Sequence, residues 1–262
     1  MFNIRIRVPS TYDGSDGSPP NPKRRKVAPT EPEEQTNESS FPFSRLPGEI
    51  RNLIYKYALT ATDGEIYIRR GPGEGTLDRT KPVRVSPGSR KKNFTDIALH
   101  LLQANKEIHG ESTPLLYSRN TFHFDIVGDL SSFLGRHALH VRDLTRIVID
   151  NSLNAHHGVT TRQHAEMAFS MLIFAENLEH LGITIDLHAK SHLQTVSAAA
   201  NFHRMARNWL LAVGARKRDK LAALDILAFK SDTSWPRFHD QAAREAQLLV
   251  VFEDALNRLL RV

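Results

Sequence analysis

The sequence predicts an α/β fold: a helical amino-terminal part, then irregular leucine-rich-repeat-like βα units in a small parallel sheet. Three observations carry this. Short β-prone runs alternate with amphipathic helical patterns from residue 120 to the carboxyl end. Three of the runs share the template Leu-x-x-[Leu/Ile]-x-Ile, as "LTRIVI" from Leu144, "LEHLGI" from Leu178 and "LAALDI" from Leu221. Strands separated by helices are most simply parallel, joined by right-handed crossovers.

Residues 1–40 are predicted to be a disordered tail. Eight of the thirteen prolines fall before residue 48, among Ser, Thr, Asn, Asp and Glu, a composition that buries too little apolar area to offset the entropy of ordering a backbone. Within the tail "PPNPKRRKVAP" carries Lys23, Arg24, Arg25 and Lys26 in one run between prolines. The run resembles a nuclear localisation signal, which implies an import receptor as partner and a nuclear location; the alternative is a solubilising charge run. The acidic "APTEPEEQTNESS" beyond it resembles the Pro-Glu-Ser-Thr segments of short-lived proteins.

Folding is expected to begin near Ser44, in "FPFSRLPGEIRNLIYKYAL". Pro47 suits a first helical turn because its missing N–H would have no partner there, and Glu49 complements the helix dipole. Leu46, Ile50, Leu53, Ile54 and Tyr57 follow at helical spacing and form one apolar stripe. Such a stripe either packs on the chain's own sheet or receives another protein. A second helical stretch opens at Asn105, a good capping residue, and Pro114 predicts a break or kink within it.

Between these helices lies a basic insert, residues 60–95, with eight basic and four acidic side chains out of a net charge of +6. Its Arg69, Arg70, Arg84, Arg90, Lys91 and Lys92 on a Gly- and Pro-rich loop are candidates for contact with a nucleic-acid backbone, with Tyr67 and Phe94 available to stack on bases. A solvated loop is the simpler reading. "EIYIRR" inside it is a possible strand.

From residue 120 "NTFHFDI" is a strand candidate with Phe122 and Phe124 on one face. A helix capped by Asp129 follows. Phe202, Met205, Trp209 and Val213 mark a later helix, and Leu248, Phe252, Leu256 and Leu259 the last. The template runs start 34 and 43 residues apart, more than the ~20–29 of regular leucine-rich repeats, so an irregular relative is expected.

Catalytic chemistry finds no support in pattern. Cysteine is absent, which excludes disulfides and thiolate ligands. No Gly-x-Ser-x-Gly elbow or phosphate loop in Rossmann context is present. His188 and His192 stand four apart without a third ligand or a glutamate base, so no metal or cofactor is expected. Asp125, Asp150 and Asp186 follow strands, and ligands of open α/β sheets gather at strand carboxyl ends, so a ligand site is one reading of them; the other is that each caps the next turn, as acids there most often do. No apolar run reaches membrane-spanning length and the start lacks a signal-peptide pattern, which predicts a soluble intracellular protein without membrane contact.

As a set, Leu46-Pro47-x-Glu49-Ile50-Arg51 with Ile54-Tyr55, then Leu101-Leu102, Asn105, Ile108, Glu111, Leu115-Leu116-Tyr117 and Asn120-Thr121-Phe122-x-Phe124 resemble the fungal F-box-like domains of the two-EXR type. The resemblance covers about residues 41–126, with 127–262 as the variable βα-repeat region that follows. It implies a non-enzymatic adaptor whose first helix, through Leu46, Pro47, Ile50, Ile54 and Tyr57, docks on the Skp adaptor of a cullin-RING ubiquitin ligase. The alternative is a nuclear nucleic-acid-associated protein acting through the 60–95 loop.

Overall fold

A computed structural model describes residues 42–69, 84–87, 97–150, 158–187, 191–231 and 241–261. The predicted tail with Lys23–Lys26 lies outside these residues. Contacts group the chain into two units, Met1–Pro47 and Gly48–Val262. The described part of the first is a single 3₁₀ turn, Phe43–Arg45, closed by the Leu46 N–H donating to the Phe43 carbonyl.

The second unit contains α1 (Gly48–Leu59), β1 (Glu65–Arg69), β2 (Arg84–Pro87), α2 (Lys106–Arg119), β3 (Thr121–Phe124), α3 (Val127–Arg136), β4 (Arg146–Ile149), α4 (Gly158–Leu172), β5 (His180–Ile185), α5 (His192–Lys217), β6 (Leu227–Ser231) and α6 (Gln241–Arg261). The α/β class is as predicted. Six strands form one sheet in the order β2-β1-β3-β4-β5-β6, parallel from β1 to β6 with β2 antiparallel at the edge. The 60–95 stretch thus contributes two strands to the same sheet as the later βα units.

The strand order from β3 to β6 follows the chain, so crossovers of one hand put the intervening helices on one side. They stack in series there, α3 on α4, α4 on α5, α5 on α6. Alternation then divides each strand between two faces. Ile66, Ile68, Phe122, Phe124, Ile147, Ile149, Leu181 and Ile183 turn to the helices and are buried. Tyr67, His123, Val148, Gly182 and Ala228 stand in register across the opposite face. The buried layer continues into the helices, where Phe202 meets Phe169 and Phe229 edge-on at ring separations of 5.6 and 5.4 Å, and Phe252 closes on Phe229 at 4.9 Å. Such pairs add to the area they bury.

Three expectations are corrected. The strand expected in "LAALDI" is a run of turns, and β6 begins at Leu227. In the ladder Ile147 pairs with Leu181 and Leu181 with Leu227, so the true equivalent of Leu144 and Leu178 is Leu224, three residues on. Helix α2 runs on through Pro114, so of the break or kink expected there the break is absent. The lost backbone bond would fall to Gly110, and Gly110 and Pro114 are exposed, so that carbonyl is free to meet water. Asp129 does not cap α3, which starts two residues before it at Val127 and has Asp129 buried in its first turn. Among the described residues no helix is long and apolar enough to cross a membrane.

Candidate functional site

Helix α1 begins directly after Pro47, whose fixed φ ends the preceding extended backbone and whose missing N–H costs nothing at a helix start. Every fourth residue of α1 then turns the same way. Arg51, Tyr55 and Leu59 face inward, and Tyr55 and Leu59 are fully buried. The Arg51 guanidinium donates from both Nε and Nη2 to the Glu111 carboxylate of α2, and the Tyr55 hydroxyl donates to Glu111 Oε2 at 2.9 Å. A two-pronged guanidinium-carboxylate contact fixes angle as well as distance. The charge-assisted bond from Arg51 holds the Glu111 carboxyl below its usual range, and burial with help from Glu111 pushes the Tyr55 phenol up to about 12.

Asn120 closes the far end of the same joint. Its Nδ2 donates to the Leu59 and Leu116 carbonyls and its Oδ1 accepts from the Ala61 N–H, each at 2.8 Å. The last turns of α1 and α2 are thereby tied at the start of β3. At the other end of α2, Asn105 caps as predicted, its side chain accepting from the Ile108 N–H at 2.8 Å.

The stripe identified in the sequence lies on the other side of α1. Ile50 is 44% exposed, Leu53 47%, Ile54 37% and Tyr57 78%. Single exposed apolar side chains are ordinary, but four on two successive turns of one helix make a contiguous patch. The polar residues Arg51, Tyr55 and Asn120 perform the internal packing, which frees the apolar ones. In the first unit Leu46 is half-buried and Pro47 exposed.

Of the basic candidates, Arg69 and Arg84 stand opposite one another in the β1-β2 ladder; Arg70, Arg90, Lys91 and Lys92 lie outside the described residues. Tyr67 is already stacked on the His123 ring at 4.4 Å, and its hydroxyl donates to Glu65; Phe94 lies outside the described residues. Asp150 reaches His123 on the neighbouring strand, and His188 lies outside the described residues. The arrangement of Glu65, Tyr67, His123 and Asp150 was not legible in advance, because it depends on strand register rather than local spacing.

A family model for a domain of unknown function, DUF7730, matches residues 34–173, more than half of the 262-residue chain. No curated protein and no solved structure matches the chain.

Proposed function

We propose that this chain, which belongs to the DUF7730 family, is a non-enzymatic F-box-like interaction adaptor. In this reading α1 offers Ile50, Leu53, Ile54 and Tyr57, with Leu46 and Pro47 before them, to a groove on the Skp adaptor of a cullin-RING ubiquitin ligase. The βα half presents a second protein. Lys23–Lys26 direct the chain to the nucleus through an import receptor.

One observation carries the proposal: the most apolar face of α1 points away from α2 while a charged and hydrogen-bonded face does the internal packing. A helix that served only the fold would place its isoleucines inward, where each gains about 1.5–3 kcal/mol from burial. Presented outward at i, i+3, i+4 and i+7, Ile50, Leu53, Ile54 and Tyr57 have the spacing of a helix laid in a groove. The test is binding of the full-length chain to the purified Skp adaptor by calorimetry. Binding that is lost in Ile50→Asp/Ile54→Asp and kept in Lys56→Ala supports the proposal; no binding by the wild-type chain overturns it.

A further inference from the structure

Strand β6 forms one edge of the sheet: among the described residues it pairs with β5 and with no other strand. The Leu181 N–H donates to the Ile226 carbonyl at 2.8 Å. In a parallel ladder alternate residues turn their backbone groups to the neighbour, so Ala228 and Lys230 serve β5, while Leu227, Phe229 and Ser231 direct N–H and C=O away from it. The Leu227 N–H is taken, donating to the Ala223 carbonyl at 3.2 Å. The Leu227 carbonyl and both groups of Phe229 and Ser231 have no backbone partner among the described residues.

The apolar layer is unfinished at the same edge. Leu181 and Ile183 of β5 are fully buried, whereas their ladder partners Leu227 and Phe229 are half-buried. Over them α6 packs on β6 and along α5, and its solvent side carries Ala243, Ala246 and Val250 at i, i+3 and i+7, all exposed. Stacked arrays are closed by units with a polar outer face. This edge instead shows open backbone, half-covered Leu and Phe, and small apolar residues above them.

We propose that the β6 edge is an interface between two copies of this chain, joined antiparallel about a two-fold axis at Phe229 so that the two sheets run on as one. A second copy of β6 fits because the pattern is its own complement. The outward N–H and C=O of Phe229 make it and its symmetry mate a doubly bonded pair, and on either side a Ser231 N–H meets the Leu227 carbonyl of the other copy. The two Phe229 rings fall side by side, extending a cluster that already holds Phe202 and Phe252. Lys230 is the one charged residue of β6, and an edge lysine ordinarily blocks strand addition. In this register it stands opposite Ala228 of the other copy, and the two lysines are only diagonal neighbours, about 7–8 Å apart. Like charge is thus kept out of the directly opposed pairs. The interface uses other elements than the α1 patch and goes beyond the adaptor reading.

The chain contains no cysteine, so the register can be tested in the full-length protein with single thiols. Ala228→Cys and Lys230→Cys are oxidised alone and as a mixture. A disulfide-linked dimer from the mixture, and none from either variant alone, is expected, because only 228 and 230 of opposite copies face each other and a diagonal pair is beyond disulfide reach. Sedimentation of the wild-type chain should show a mass rising reversibly from one chain to two between roughly 1 and 500 μM. Ala228→Lys, which sets like charges face to face, should weaken the dimer about tenfold, and Ala228→Lys/Lys230→Glu should restore it. A wild-type mass of one chain at every concentration, no linked dimer from the mixture, linkage within a single variant as strong as in the mixture, or unchanged dimerisation in a folded Ala228→Lys overturns the proposal. Should Ala228→Lys fail to fold by circular dichroism, the thiol pair and the wild-type mass decide. Every variant leaves α1 unchanged and no Skp adaptor is present, so this proposal and the adaptor reading fail separately.

Discussion

Arg51 and Glu111 stand sixty residues apart in sequence and meet as a two-bond ion pair that joins α1 to α2. Because a polar clamp holds this joint, the apolar residues of α1 are left for the outer face. Glu111→Gln is expected to lower the thermal midpoint at neutral pH. The acid dependence follows from the sign of the shift: Glu111 is depressed when folded, so the folded state holds fewer protons there than the unfolded state. Its contribution is present above the unfolded carboxyl range and is lost as pH falls through the lower folded value. Thermal melts between pH 7 and 3 should show the wild-type midpoint falling toward that of Glu111→Gln; parallel curves would mean that the Arg51–Glu111 pair does not hold the joint.

Asn120 is fully buried and makes three hydrogen bonds to backbone groups of three different residues. Asn120→Ala leaves the Ala61 N–H and the carbonyls of Leu59 and Leu116 short of a partner. A loss of about 3 kcal/mol in chemical unfolding is expected, from one to three per orphaned buried group with partial relaxation. A loss below about 1 kcal/mol would mean that water replaces the side chain.

His137 gives a second, separable pH dependence. Its Nδ1 lies 3.1 Å from the Tyr117 hydroxyl, and burial, with His140 and Arg136 nearby, lowers its pKa to about 4. The unfolded histidine titrates near its ordinary value of 6.5, so between these values the unfolded state binds more protons and stability falls with acidification. At roughly 1.4 kcal/mol per pH unit the ceiling is about 3 kcal/mol. His137→Gln should flatten the stability profile between pH 6.5 and 4; an unchanged slope would place the acid sensitivity elsewhere.

Local signals carried much of the fold. The α1 stripe, the Asn105 cap and the strands at 121–124, 146–149 and 180–185 follow from spacing and capping chemistry that neighbouring residues decide. What was not legible depends on distant partners. Helical periodicity told that Ile50, Leu53, Ile54 and Tyr57 share a face, but which face turns outward is set by Glu111, sixty residues beyond Arg51. Both "LAALDI" and "LDILAF" offer leucine three residues before an apolar residue, and only pairing with Leu181 selects the second. The meeting of Tyr67, His123 and Asp150 requires three strands in one register, and Asp150, read as a turn-capping acid, acts instead across strands.

On the proposed reading, the outward face of α1 is free for a partner and not needed by the fold. Ile50→Asp/Ile54→Asp in the full-length chain, measured by circular dichroism melting alongside calorimetric titration with the Skp adaptor, tests it most directly. A change in unfolding free energy of no more than about 0.5 kcal/mol per substitution, as for exposed positions, is expected together with loss of binding. A variant that unfolds, or one that folds and binds as the wild type does, would contradict it.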